Sequence, residues 1–165
     1  MAWFPAITWN ACQTRPPQSY VTTPSMDKRV IPNTIILEEA GQLLEEGRTV
    51  RFTPLGSSML PFIRGGRDNV VLSKKDSIEV GDIVLARLAG PRYVLHRVIK
   101  RDGDALTLMG DGNIAGTESC TVADIMGTAV EIGRDGKAVI PGKAKLWRAL
   151  KPIRRYILAI YRRLP

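Results

Sequence analysis

Six short runs of apolar or alternating residues between positions 49 and 133 constrain the fold of this chain more than any other feature. They are TVRFTPL, NVVLSK, DIVLARL, RYVLHRVIKR, ALTLMG and GTAVEIG, and Gly, Asp and Pro separate them. Runs of this length and period are typical of β-strands joined by hairpins. The Asp102-Gly103 pair in KRDGDAL favours a tight hairpin turn. The sequence therefore predicts a mainly β protein of the α+β kind.

Three segments of different character make up the chain. Residues 1–32 contain five prolines among Ser, Thr and Gln, which predicts an extended or disordered leader. The run NTIILEEAGQLLEEG follows, with apolar residues at helical spacing, Asn33 able to cap it and Gly47 able to end it. We therefore expect a leader over 1–32, a domain over 33–142 that begins with an amphipathic helix, and a C-terminal basic helix over 143–165.

The positive charge of the chain is concentrated in its C-terminal tail. The formal net charge is +8, and residues 143–165 contain eight Lys or Arg and no acidic residue. The rest of the chain is neutral, so we expect no nucleic-acid partner, and we expect the tail to be the segment that binds an anionic membrane surface. Apolar residues recur at helical spacing there, with Pro152 expected to kink or divide the helix. The pattern fits a helix on a membrane and a helix docked on the domain equally well.

Other features limit the location and the chemistry. No segment has the roughly 20 apolar residues needed to span a bilayer, and the N-terminus lacks the basic and apolar regions of a signal peptide. We expect a cytoplasmic protein, peripheral at the inner membrane if the tail binds lipid. Cys12 and Cys120 are interpreted as free thiols, and with one histidine in the chain we expect no metal and no cofactor.

His96 is the residue to test as a partner for the serines of the polar turn GSSMLP. A nucleophilic serine needs a general base within reach and a third group that orients the base. In YVLHRVI the strand alternation places Val94, His96 and Val98 on one face, and Tyr93, Leu95 and Arg97 on the other. A half-buried structural histidine has the same pattern, so composition alone does not identify a base.

Five blocks in order resemble a known family. GSSMLPFI, VGDIVLAR, YVLHRVI, LMGDGN and IMGTAVEI, within residues 48–132, are similar to the blocks of the signal peptidase I superfamily, which includes the self-cleaving SOS-response repressors. The chain most resembles compact, soluble signal-peptidase-like proteins of Bacteroides-type bacteria. The resemblance implies the β fold of signal peptidases and repressor peptidases.

The resemblance also implies a set of site residues. Ser58 stands at the nucleophile of Ser-x-Met-x-Pro, and its backbone N–H at the oxyanion donor. His96 stands where bacterial members have a lysine base, which changes a Ser-Lys dyad to a Ser-His pair with a base that titrates near neutrality. Asp111 of GDGN is the implied acidic partner of His96. Met59 and Pro61 are expected to contact substrate, while Gly56 replaces the serine that supplies a second oxyanion donor in some members.

Three functions agree with these residues. The first is a serine endopeptidase that cleaves an extended peptide or leader sequence, bound as an added strand, with small residues on the acyl side of the cut. The second is a self-processing regulator that removes residues 1–32, a segment too short for a helix-turn-helix. The third is a peptide-binding module that keeps the fold without catalysis.

Overall fold

The computed structural model describes residues 33–90, 92–150, 152–161 and 163. The predicted leader, residues 1–32, lies outside the described residues, as does Cys12. Two helical regions flank the strands. In chain order the elements are α1 (Asn33–Glu45), β1 (Val50–Phe52), β2 (Asn69–Ser73), β3 (Ile83–Leu88), β4 (Arg92–Asp102), β5 (Ala105–Met109), β6 (Glu118–Thr121), β7 (Ile125–Arg134), β8 (Lys137–Val139), α2 (Lys145–Ala149) and α3 (Arg154–Tyr161).

The strands form one antiparallel sheet, which confirms the predicted mainly β fold. The order across it is β1-β2-β7-β3-β4-β5-β6, and β8 pairs with β7. Strands β4 and β5 form the predicted hairpin, with Asp102 opposite Ala105 across the turn Gly103-Asp104. Strands β6 and β8 were not among the six predicted runs.

The apolar side chains form two clusters, because alternate residues of a strand point to opposite faces of the sheet. Ile83 and Leu85 of β3 lie in the first cluster, which α1 covers with the fully buried Leu44. Val84 and Ala86 lie in the second, between β3, β4 and β5. The central strands β3 and β4 are therefore packed on both faces, and this fixes the direction of each β4 side chain.

The C-terminal tail docks on the domain through one face. It forms two short helices, with Pro152 between them, and buries Trp147, Arg154 and Leu158. The Trp147 indole N–H donates to the Asp111 carbonyl at 3.0 Å. The Arg154 guanidinium lies 5.2 Å from the centre of the Trp147 ring, and burial lowers its pKa, with Asp111 opposing that effect. Of the two structures compatible with the tail pattern, the docked one is present.

None of the described helices is long and apolar enough to cross a membrane.

Candidate functional site

Ser58 lies in the loop between β1 and β2, which is closed on itself. The Gly66 N–H donates to the Pro54 carbonyl at 2.8 Å. Gly65 packs so closely on Gly56 that a Cβ at Gly65 would stand 2.0 Å from the Gly56 carbonyl oxygen. Gly56 has a φ of +88°, a conformation that favours glycine. The backbone of the loop that carries Ser58 is therefore held in place. Gly56, which stands where some family members have a serine as second oxyanion donor, has a conformation that suits glycine.

The GDGN turn contacts this loop at Ser57 and Ser58. The Gly112 N–H donates to the Ser58 carbonyl at 2.7 Å. A Cβ on Gly112 would be 2.4 Å from the Ser57 carbonyl oxygen, so no larger residue fits without moving the backbone. Among the described residues no acceptor pairs with the Ser58 N–H. The Ser58 carbonyl is thus anchored, while the Ser58 N–H is available to a ligand.

His96 binds Glu118, a residue that the sequence does not identify as its partner. Its imidazole is buried, with 6% of the residue exposed, and Nδ1 lies 2.9 Å from Glu118 Oε2. The other oxygen, Oε1, accepts a hydrogen bond from Arg92 at 3.1 Å. An ionised carboxylate can only accept, so this geometry places a proton on His96 Nδ1, and in the neutral form of the ring the lone pair is then on Nε2.

Asp111 pairs with Arg97 and not with His96, which corrects the expected contact. Arg97 Nη2 and Nε donate to Oδ2 and Oδ1 of Asp111 at 2.7 and 2.9 Å, and both side chains are buried. The reason is strand parity: His96 and Arg97 are consecutive in β4 and point to opposite faces. Arg97 is opposite Met109, two residues before Asp111, so this carboxylate meets Arg97.

Glu118 reaches the face of His96 through three neighbouring strands. Val98, two residues after His96, is opposite Leu108 of β5, and Leu108 is opposite Glu118 of β6. All of these side chains therefore share one face of the sheet. The only signal in the sequence is an acidic residue in the polar segment ESCT, which does not have the apolar pattern of a strand.

Arg97 braces the structure around the site. Besides Asp111, its Nη1 donates to the carbonyls of Gly81 and Gly142, each at 2.7 Å. Its guanidinium also lies 5.2 Å from the centre of the Phe62 ring. One buried cation thus joins the GDGN turn, the turn before β3 and the start of the tail.

Ser58 and His96 line the same cavity, which has a volume of about 160 Å³. Its walls are residues 54–56 on one side and Tyr93–Leu95 of β4 on the other. The described hydrogen bonds include none between Ser58 Oγ and His96 Nε2. In unliganded enzymes such catalytic hydrogen bonds are often long and shorten when substrate binds. The structure therefore brings two of the three expected catalytic residues to one cavity.

The two expected substrate contacts differ in their positions. Met59 lines the cavity of Ser58, although it is 5% exposed and packs mainly into the first apolar cluster. Pro61 lines a separate cavity of about 290 Å³ with Phe62 and Arg97. A contact of Pro61 with substrate therefore stays a prediction.

Beside the cavity, β4 has an open edge. Residues 92–96 pair with β3, whereas pairing with β5 begins at Arg97. In the part of the chain that the structure describes, the other edge of Tyr93–His96 has no strand partner. An extended peptide could add there by backbone hydrogen bonds and would lead directly to His96.

Cys120 is the other nucleophile type near this region, and its environment makes it unreactive. Burial, and secondarily the charge of Asp124, raise the pKa of its thiol to about 11. The thiolate is the reactive form of cysteine, so Cys120 is inert at neutral pH. Among the described residues no group of three His, Cys, Asp or Glu side chains stands close enough to hold a metal ion.

Comparison with known families agrees with the fold. The sequence profile of the peptidase S24-like family matches residues 21–130. The chain belongs to the peptidase S24-like family. This membership confirms the predicted superfamily of signal peptidases and repressor-type serine proteases. The family profile also includes the segments that hold Ser58, His96 and Glu118. A comparison with curated proteins finds no match.

Proposed function

We propose that the chain is a serine endopeptidase in which Ser58 is the nucleophile and His96 the general base. The observation that carries the proposal is the orientation of His96. Glu118 binds Nδ1 of this buried imidazole, and His96 lines the same cavity as Ser58. A serine, a base and an oriented carboxylate are the parts that acyl transfer needs.

The reaction would proceed by the usual two acyl-transfer steps. Ser58 Oγ bonds to the scissile carbonyl carbon while its proton passes to His96 Nε2. The imidazolium, stabilised by Glu118, then gives that proton to the leaving amine as the C–N bond breaks. Water, deprotonated by His96, finally hydrolyses the ester of Ser58 and restores the enzyme.

The Ser58 N–H would donate to the carbonyl oxygen as negative charge develops on it. That N–H has no protein acceptor in the described residues, whereas the Ser58 carbonyl is tied to Gly112. Gly56 contributes no hydroxyl to the oxyanion hole. Asp111 would act at a distance from the substrate, as the residue that holds the GDGN turn through Arg97.

An extended peptide is the substrate that fits the open edge of β4. Its backbone would pair with Tyr93–His96 and its scissile bond would come to lie between Ser58 and His96. The cavity of about 160 Å³ beside Ser58 favours small residues on the acyl side. We further propose a leader peptide in the cytoplasm as the physiological substrate, bound in this extended form.

Labelling and cleavage test the proposal together. Folded full-length protein at neutral pH would be treated with a fluorophosphonate probe and mapped by mass spectrometry, and a mixed peptide library would reveal cuts. We expect the label on Ser58, and both labelling and cleavage lost in Ser58→Ala and His96→Ala. Ser57→Ala is the matched control, since Ser57 is the exposed neighbour. Unchanged cleavage in His96→Ala, or no labelling of the folded wild type, would contradict the proposal.

The same samples distinguish self-processing, which family membership also permits. The mass of the purified chain would be followed over time. Loss of an N-terminal fragment at a rate independent of protein concentration, and absent in Ser58→Ala, would identify a self-processing regulator. Cuts in the peptide library without shortening of the chain are the expected result.

A further inference from the structure

The outer face of α3 exposes apolar side chains that are not buried when the tail docks on the domain. This outer face consists of Ile153, the residue just before α3, with Tyr156 and Ile160 of α3, which are 48%, 57% and 64% exposed. Their spacing of three and four residues places them on one stripe of the helix. The stripe that docks on the domain is a different one and contains Arg154 and Leu158, 4% and 1% exposed. The apolar part of α3 is therefore wider than the face that the domain covers.

The segment that carries this outer face is positively charged. Residues 143–165 contain no acidic residue. Arg155 is exposed, and its guanidinium lies 4.5 Å from the centre of the Tyr156 ring. Lys145 and Arg163 are exposed as well. Lys143 differs because it pairs with Glu79 and Asp82 at 2.9 and 2.6 Å and is already neutralised.

We propose that the outer face of α3 lies on an anionic lipid surface. Exposed Ile and Tyr side chains beside arginine are the composition of helices that lie in a membrane interface, where apolar groups enter the acyl boundary and cations meet the headgroups. Each basic residue near an anionic leaflet contributes to this attraction.

Charge argues against the other occupants of this face. A second copy would bring the same positive tail, which repels. The first 32 residues contain three basic residues and one acidic residue, so they offer no complement either. A polyanion such as duplex DNA would use the arginines and lysines but would gain little from Ile153 and Ile160.

Vesicle sedimentation with the full-length chain tests the proposal without any activity assay. One set of vesicles is phosphatidylcholine alone, and the other is phosphatidylcholine mixed with phosphatidylglycerol. We expect binding at least about tenfold tighter to the mixed vesicles, and weaker binding as salt increases. Equal binding to both vesicle types, or no binding to the mixed vesicles at low salt, would overturn the proposal.

Two exposed substitutions locate the surface. Ile160→Ser and Arg155→Glu should each weaken binding to the mixed vesicles by about tenfold. Ile140→Ser and Lys137→Glu are matched controls outside the tail, because both residues are exposed, and they should leave binding unchanged. All four sites face solvent, so the variants should keep the wild-type circular dichroism. An Ile160→Ser protein that binds as tightly as wild type would indicate a general polyanion site and would refute the lipid proposal.

Discussion

Replacement of Glu118 by glutamine tests which carboxylate orients His96. Glu118 accepts from Arg92 with Oε1 and from His96 with Oε2. In Glu118→Gln the amide oxygen should stay with Arg92, because arginine can only donate. The amide NH₂ would then face Nδ1, which must accept. The His96 proton would move to Nε2, and the imidazole could no longer take the proton of Ser58.

The size of this effect follows from the wrong tautomer. The corresponding carboxylate-to-amide change in a Ser-His-Asp site lowers kcat by about 10⁴-fold while the geometry is kept. At 1.36 kcal/mol per factor of ten this is about 5.4 kcal/mol of activation free energy. We expect a loss of this order in Glu118→Gln, measured as kcat on a peptide cut by the wild type, with little change in KM and in the midpoint of thermal unfolding.

Two further variants make the test specific. Asp111→Asn changes the other carboxylate in the same way, and it should lower the free energy of unfolding, because the buried Arg97 loses its counter-charge. Its folded fraction should keep kcat within about tenfold of wild type, since Asp111 does not contact His96. Arg92→Ala added to Glu118→Gln frees the amide to rotate and should recover part of the lost kcat. A Glu118→Gln enzyme within tenfold of wild type, or an Asp111→Asn enzyme that loses 10⁴-fold while folded, would refute the assignment.

Three other variants probe the support of the site. Arg97→Met should cost about 3–5 kcal/mol of unfolding free energy in urea, because it leaves a buried carboxylate unpaired; a cost below about 1 kcal/mol would contradict the brace. Gly112→Ala should lower kcat by at least about tenfold, because its Cβ would displace the loop that carries Ser58. A variant with the kcat of the wild type would disprove the close contact between Gly112 and this loop. Although burial raises the pKa of Asp68, hydrogen bonds and charges from Arg134 and Arg64 lower it overall. Its stabilising contribution is therefore full above the unfolded pKa of about 3.9 and is lost as pH falls below it. Asp68→Asn should flatten this acid dependence, measured by urea unfolding at a series of pH values, and an unchanged slope would show that Asp68 does not cause it.

Most of the fold could be predicted because its strands alternate in the usual way. All six predicted runs contain strands, β1 to β5 and β7, and the Asp102-Gly103 turn lies where the sequence placed it. These elements have an apolar face that must be buried. Strands β6 and β8 lack such a face: β8 is exposed throughout and β6 contains no fully buried residue. Their pairing depends on the neighbouring strand, which a local pattern does not contain.

The missed strand also explains the wrong partner for His96. The resemblance offered Asp111, the acidic residue of a recognisable turn, whereas Glu118 begins β6. Strand alternation predicted that His96 and Arg97 point to opposite faces. Which residue of β5 lies opposite Arg97 depends on the register of the two strands, which shifts between Val98 and Lys100 and cannot be read from the local sequence. A one-residue difference in register sends a side chain to the opposite face.

The two faces of β4 carry different parts of the site. On one face, Glu118 binds His96, the proposed general base. On the other, Arg97 ties Asp111 to the carbonyl of Gly142, at the start of the tail. His96 and Arg97 are adjacent in one strand that is packed on both faces. A shift of the tail or of the GDGN turn would therefore act on the same backbone that carries His96. The GDGN turn also binds the Ser58 carbonyl and accepts a hydrogen bond from Trp147 of the tail, so one connected set of contacts holds Ser58 and His96 in position, and the tail is a part of it.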